Sequence, residues 1–187
     1  MADPERRRNA LAVLFVVFAL VLLALSVSTT NLGDQSLGLV SLHDAKKAPD
    51  FTLSDARTGQ SVDLQQQSHS MPIVFTFWAT WCGPCRMELP HIEELSRRYA
   101  GRVGFYAVDS DDSPEIEAAF AEQHGFTFSV LSDVNHTANS AYGISNLPTL
   151  FVVDRSGLIR YSAVGFDPDE SATDLDKALD GLLAEHT

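Results

Sequence analysis

Residues 72–79, PIVFTFWA, carry no charge and a single hydroxyl, and residues 103–110, VGFYAVDS, come close to the same pattern. Continuous β-rich apolar runs of this length predict central strands covered on both faces. FTFSVLSD, residues 126–133, predicts a third, shorter strand. TLFVVD and LIRYSAVG flank Arg155-Ser156-Gly157 and predict a hairpin. Between the strands the period changes. Leu89, Ile92, Leu95 and Tyr99 keep helical spacing up to a stop at Gly101, with Pro90 inside as an expected kink. Ser113-Pro114-Glu115 combines a capping hydroxyl, a first-turn proline and an acid at the positive helix end, so a helix is expected to run to Gly125. Its apolar stripe is expected at Ile116, Ala119 and Phe120. NHTANSAYG reads as a short helix or turn, and DFTLSDARTGQSVDL as two short extended pieces around Thr58-Gly59. A closing helix is expected over residues 169–184, with Leu175, Ala178, Leu179, Leu182 and Leu183 on one face. Strand, helix, strand, helix, hairpin, helix is an α/β order that buries a central mixed sheet between helical layers.

The N-terminus is different in kind. Arg6, Arg7 and Arg8 precede a charge-free run over residues 10–27. Eighteen residues rise about 27 Å as a helix, enough for a bilayer's hydrocarbon core. The next basic residue is Lys46, so the positive-inside rule puts the N-terminus in the cytoplasm and the rest outside. The expected organisation is a basic tail at 1–9, a transmembrane signal anchor at 10–27, a polar tether at 28–47 and one folded domain at 48–187. The alternative is a signal peptide cleaved after the small residues around Ala24-Leu25-Ser26, but the apolar run exceeds a usual signal core. Either way the domain is exported, to the periplasmic side of the cell membrane.

Charge narrows the partners. The formal net charge is −12, and the exported part holds 10 basic and 23 acidic residues. Nucleic acid is excluded as a partner, because phosphates would repel such a surface.

Two cysteines, Cys82 and Cys85, close the first buried run. A structural zinc site needs four ligands. This chain offers one close pair, with His91 the nearest histidine, so no metal is expected. As a staple the pair is badly placed, since bridging neighbours constrains little of the unfolded chain. Redox exchange fits better. A strand ending near Ala79 and a helix beginning near Gly83-Pro84 put Cys82 at a helix N-terminus, where unpaired N–H groups and the dipole favour a thiolate. Only a thiolate attacks a disulfide. Cys85 lies one turn later on the same face, placed to resolve the mixed disulfide. Gly83 leaves access open and Pro84 rigidifies the loop.

Here the sequence resembles a known group. FWATWCGPC matches the active site of thioredoxin-fold proteins, Pro90 lies where they carry a helix proline, and Leu147-Pro148-Thr149 matches their cis-proline loop. APDFTL, residues 48–53, resembles the opening of the AhpC/TSA redoxin branch. With the anchor and the insertion at 113–131, the chain is similar to the TlpA/ResA/CcmG-like membrane-tethered thiol–disulfide oxidoreductases over residues 48–184. The resemblance implies a thioredoxin-like fold, a redox-active Cys82–Cys85 disulfide with no cofactor, and a cis Pro148 that leaves the Leu147 backbone free to pair with an extended client. Trp81 is expected to cover the thiols and shape the docking surface, or simply to pack; Trp78 is expected in the core. One position departs from thioredoxins proper, whose buried strand aspartate is replaced by Thr76. Either water or an acid such as Glu88 must then take the Cys85 proton.

The expected activity is reduction of disulfides in exported clients, with apocytochrome c or a copper-site protein as typical clients, recharged by a membrane reductase of the DsbD/CcdA kind. Two alternatives share the fold. Thiol peroxidases carry a threonine three and a proline seven positions before the reactive cysteine, where this chain has Ala79 and Phe75. Copper-binding assembly factors use CxxxC and a distant histidine, against CxxC here.

Overall fold

The computed structural model describes residues 44–185. The basic tail, the expected membrane anchor and most of the tether lie outside the described residues. Among those described, no helix is long and apolar enough to cross a membrane.

The strands are β1 (Lys46–Lys47), β2 (Thr52–Asp55), β3 (Ser61–Asp63), β4 (Ile73–Trp78), β5 (Gly104–Asp109), β6 (Ser129–Ser132), β7 (Thr149–Val153) and β8 (Leu158–Val164). The helices are α1 (Leu64–Ser70), α2 (Gly83–Arg98), α3 (Pro114–His124), α4 (Thr137–Tyr142) and α5 (Ser171–Ala184). The strands form one eight-stranded sheet in the order β1-β8-β7-β4-β5-β6-β2-β3. The β4–β5 and β5–β6 pairs are parallel, and β4–β7 and β7–β8 are antiparallel. The mixed sheet expected from the element order is thus observed.

β4 shows why the sheet is covered twice. All six of its residues are buried. Val74 and Trp78 join the core that packs α2, α3 and α5, while Ile73, Phe75 and Phe77 join the core beneath α1 and α4. This period of two places Thr76 on the α2 side. α5 buries Leu175, Ala178, Leu179 and Leu182 as its spacing predicted, with Leu183 packed at the margin. Each buried leucine stabilises the fold by about 1.5–3 kcal/mol relative to exposure.

Three local expectations are corrected. Lys46 and Lys47, read as tether, pair with Ile159 and Leu158 as an edge strand. Residues 64–70, LQQQSHS, form a helix that the pattern did not suggest. Asp63 caps it by accepting the Gln66 N–H (2.7 Å), and only Leu64 and Ser68 turn inward. α3 is rotated from its expected stripe: Ile116 and Ala119 are exposed and Phe120 is half-buried, while Glu117 and Ala121 face the core. The reason is that Glu117 finds polar partners inside, described below.

Candidate active site

β4 ends at Trp78, and four residues carry the chain to α2. The Cys82 N–H donates to the Ala79 carbonyl (3.1 Å), a turn that makes Cys82 the N-cap of α2. The Cys85 N–H donates to Cys82 Sγ (3.2 Å), so sulfur does the work of a capping oxygen. No acidic residue stands in the first turn, and Pro84 occupies it as predicted. The positive helix end is therefore directed at one sulfur. The two cysteines form a disulfide with an S–S distance of 2.00 Å and a Cα–Cα distance of 5.3 Å. Cys82 is 4% exposed and Cys85 fully buried. The asymmetry expected from their positions is present, though small in this oxidised state.

The surroundings of the pair are open. Trp81 is 67% exposed, so it belongs to neither core; Trp78 is buried as expected. Gly83 is exposed, with an ordinary φ and nothing within 4 Å of where a Cβ would lie. Its smallness keeps space clear beside the sulfurs, with no demand from the backbone. The Leu147–Pro148 peptide bond is cis. The β4–β7 register pairs Phe77 with Thr149, so the Pro148 loop and the cysteine loop leave the same end of neighbouring strands. Gly165 N–H donates to the Pro148 carbonyl (2.8 Å), which ties the end of β8 to this loop. The ladders of β7 begin at Thr149, leaving the Leu147 backbone outside them.

Behind Cys85 lies an acid. Glu88 follows one turn along the same helix face and is 3% exposed. Thr76 Oγ1 donates to Glu88 Oε2 (2.6 Å). Burial pushes the Glu88 carboxyl up to about 7, against the opposing pull of the Thr76 bond. A cleft with room for about one water molecule reaches Glu88 between α2, β8 and α5; His91, Tyr161 and Phe166 are among its walls. Of the two proton acceptors left open for Cys85, the structure thus brings Glu88 to the site and uses Thr76 to hold it.

A second group went unread in the sequence. Asp112 Oδ2 accepts the Thr80 N–H (2.9 Å), two residues before Cys82. Asp109, at the end of β5, accepts the N–H groups of Asp111 (2.8 Å) and Asp112 (3.1 Å). The signal was the acid-rich run DSDDSPE directly after a buried strand adjoining β4. Among the described residues no group of three or more His, Cys, Asp or Glu is placed to hold a metal ion.

Comparison with known proteins agrees with this geometry. Residues 45–162 match the AhpC/TSA family. The chain is 33% identical over 129 residues to the thioredoxin-like protein YneN of Bacillus subtilis, covering 67% of this chain and 74% of that one. It is 29% identical over 153 residues to the thiol–disulfide oxidoreductase ResA of Bacillus anthracis, covering 81% of this chain and 87% of that one. A thiol:disulfide interchange protein of the DsbE type from Chlorobium tepidum superimposes with a TM-score of 0.65 at 34% identity, covering 74% of this chain and 99% of that one. The chain belongs to the AhpC/TSA family, as a thioredoxin-like member of its TlpA/ResA/CcmG group.

Proposed function

We propose that this thiol–disulfide oxidoreductase acts as a reductase of disulfides in exported client proteins. The observation that carries the reading is the Cys82–Cys85 disulfide itself, set at a helix start with a buried acid one turn behind the second sulfur. In the reduced protein the Cys82 thiolate attacks one sulfur of the client disulfide. A Cys82–client bond forms, the client S–S bond breaks, and the departing client sulfur takes up a proton. Cys85 gives its proton to Glu88, and its thiolate attacks Cys82 Sγ. The second client sulfur leaves, the proton that passed through Glu88 balances its charge, and the protein is left oxidised with two electrons passed to the client. An acid near 7 suits the middle step, since it is substantially ionised at neutral pH yet close enough to a thiol to exchange protons.

The Gly-Pro pair between the cysteines supports the reducing direction, as in thioredoxin. The apolar run over 10–27 behind three arginines supports a single-pass anchor with the domain outside the cytoplasm. The likeness to the ResA and DsbE-type proteins supports clients such as apocytochrome c and a membrane electron donor of the DsbD/CcdA kind. Trapping tests the whole reading. Cys85→Ser is expected to accumulate Cys82-linked mixed disulfides with exported proteins, identifiable by mass spectrometry, and Cys82→Ser to accumulate none. The opposite pattern rejects the assignment of the nucleophile. Equilibration with glutathione checks direction, because a potential near about −120 mV, that of DsbA, describes an oxidant.

A further inference from the structure

Three acids, Asp109, Asp112 and Glu117, come together where β5 ends and α3 begins, and Asp112 links them to the cysteine loop. Asp109 and Glu117 are both completely buried. Glu117 Oε2 takes a short hydrogen bond from Ser132 Oγ. Its Oε1 and Asp109 Oδ2 are buried without any hydrogen-bond donor. The Asp109 charge acts on Glu117 and the Asp112 charge on both, while the Asp112 N–H donates to Asp109 Oδ1 (3.1 Å). Buried carboxylates that repel one another and have an oxygen without a donor are unfavourable, and neighbouring like charges do not all ionise together. A proton supplies the donor that these oxygens lack. Asp112, the exposed-side member, hands the arrangement on to the Thr80 N–H.

No cation relieves the cluster. Glu115 on α3 adds a further negative charge facing Glu117. Asp133, after β6, donates its N–H to the Asp109 carbonyl (2.7 Å) and spends its own carboxylate on the start of α4 and on Ser110. Trp78 is the β4 neighbour of Asp109 and carries no charge. None of the ion pairs among the described residues reaches Asp109, Asp112, Glu117 or Asp133.

We propose that Asp112, braced by protonated Asp109 and Glu117, is a positioning residue for Cys82, so that the reactivity of Cys82 follows a protonation event outside the cysteine pair. The proposal rests on Cys82 being the attacking thiol. Thr80 precedes the Ala79–Cys82 turn's last residue by two positions, so its N–H is where an acid can fix the path of the backbone into the helix. While the cluster holds its protons, Asp112 is the charged acceptor and the segment is pinned. When they leave, repulsion drives Asp112 off Thr80 and the segment loosens. Burial and mutual repulsion push both Asp109 and Glu117 up to about 7, which places the change near neutrality.

Alkylation of the reduced full chain by iodoacetamide, followed at Cys82 by peptide mass spectrometry from pH 5.5 to 9, tests this without any client. The wild-type rate is expected to rise as the Cys82 thiol ionises and to fall back as the cluster loses its protons, and Glu117→Gln, which keeps an acceptor for Ser132, to lose much of that fall. Asp112→Ala is expected to react about tenfold more slowly at pH 6 than Asp112→Asn, the rate equivalent of one neutral hydrogen bond. Both variants lack the charge, and only asparagine keeps an oxygen for Thr80. Equal rates for the two Asp112 variants, or a Glu117→Gln profile that overlays the wild type, overturn the inference. A wild-type Cys82 that labels no faster than a free thiol overturns the proposed function as well.

Discussion

α2 and α3 are built alike and used differently. Each follows a buried strand of the parallel pair β4–β5, carries a proline in its first turn, and turns one buried glutamate toward a strand hydroxyl, although the Ser113 hydroxyl expected to cap α3 makes no capping bond. Glu88 meets Thr76 on β4, and Glu117 meets Ser132 on β6. The difference lies in the first turn. α3 sets the Glu115 carboxylate at its positive end, where a hydrogen bond from Ser113 holds it below the usual carboxylate range. α2 has no acid there and a sulfur as its cap. A helix dipole that is neutralised by carboxylates stabilises the fold; one left free can stabilise a thiolate. The buried acids differ in the same sense. Glu88 is raised by burial, with a hydroxyl and a cleft beside it, whereas Glu117 is raised by burial and by the charges of Asp109, Asp112 and Glu115. One is placed to exchange a proton with a passing thiol and the other to keep one.

The contrast can be broken most severely at Glu88. Glu88→Gln keeps an acceptor for Thr76 but removes the base, so resolution of the Cys82 mixed disulfide is expected to slow by about 100-fold. Quenched-flow kinetics with a model disulfide would show it. The wild-type resolution rate should also climb as pH rises through about 7 and Glu88 ionises, and the variant should lose that climb. An unchanged rate would mean that Cys85 gives its proton elsewhere.

Making α2 resemble α3 is the next test. Gly83→Glu meets open space and an ordinary backbone, so the fold accepts it, and Gly83→Gln, of the same size, separates the added charge from any lost access. Placing a carboxylate in the first turn is expected to raise the Cys82 pKa by about one unit and slow its alkylation at pH 7 up to about tenfold. A thiolate absorbance titration reads the shift directly.

Stability should follow α3. Glu117 sits near 7 in the fold against 4.5 for the free side chain. The folded chain therefore keeps a proton that the unfolded chain releases, and this contribution to stability is present below about 4.5 and lost as pH rises through about 7. Urea unfolding from pH 5 to 8 is expected to show a shallower loss in Glu117→Gln than in the wild type. Some slope should remain from Asp109 and Glu88, whose shifts have the same sign. The smallest effect is expected at the far end of α2. There Arg98 pairs with Glu94 and Asp176, each at 2.7 Å, but is 46% exposed. Arg98→Ala should cost under about 1 kcal/mol in thermal unfolding.

Much of the site was legible from residue order. A buried run, CGPC, and the helical spacing of Leu89, Ile92 and Leu95 put Cys82 at a helix start and Cys85 behind it. The Leu147-Pro148-Thr149 motif pointed to the cis bond. The acids were less legible. Glu88 appeared in the sequence as one of two options, because its hydroxyl partner stands 12 positions away on another element. The pattern predicts Ile116, Ala119 and Phe120 as the inward stripe of α3 and leaves Glu117 unmarked, since burying an acid is unfavourable unless a partner is waiting. That partner, Ser132, is 15 positions along the chain.

Elements whose signal is local were determined by the sequence alone: the apolar strands β4 and β5, the β7–β8 hairpin, the amphipathic α5 and the cysteine-capped start of α2. Periodicity, capping and turn chemistry act over a few residues and need no knowledge of neighbours. Tertiary structure decided which carboxyls went inside, which helix face turned inward on α3, and that Asp112 would reach Thr80. Those outcomes depend on desolvation offset by hydrogen bonds between strands and helices that only the folded sheet brings together.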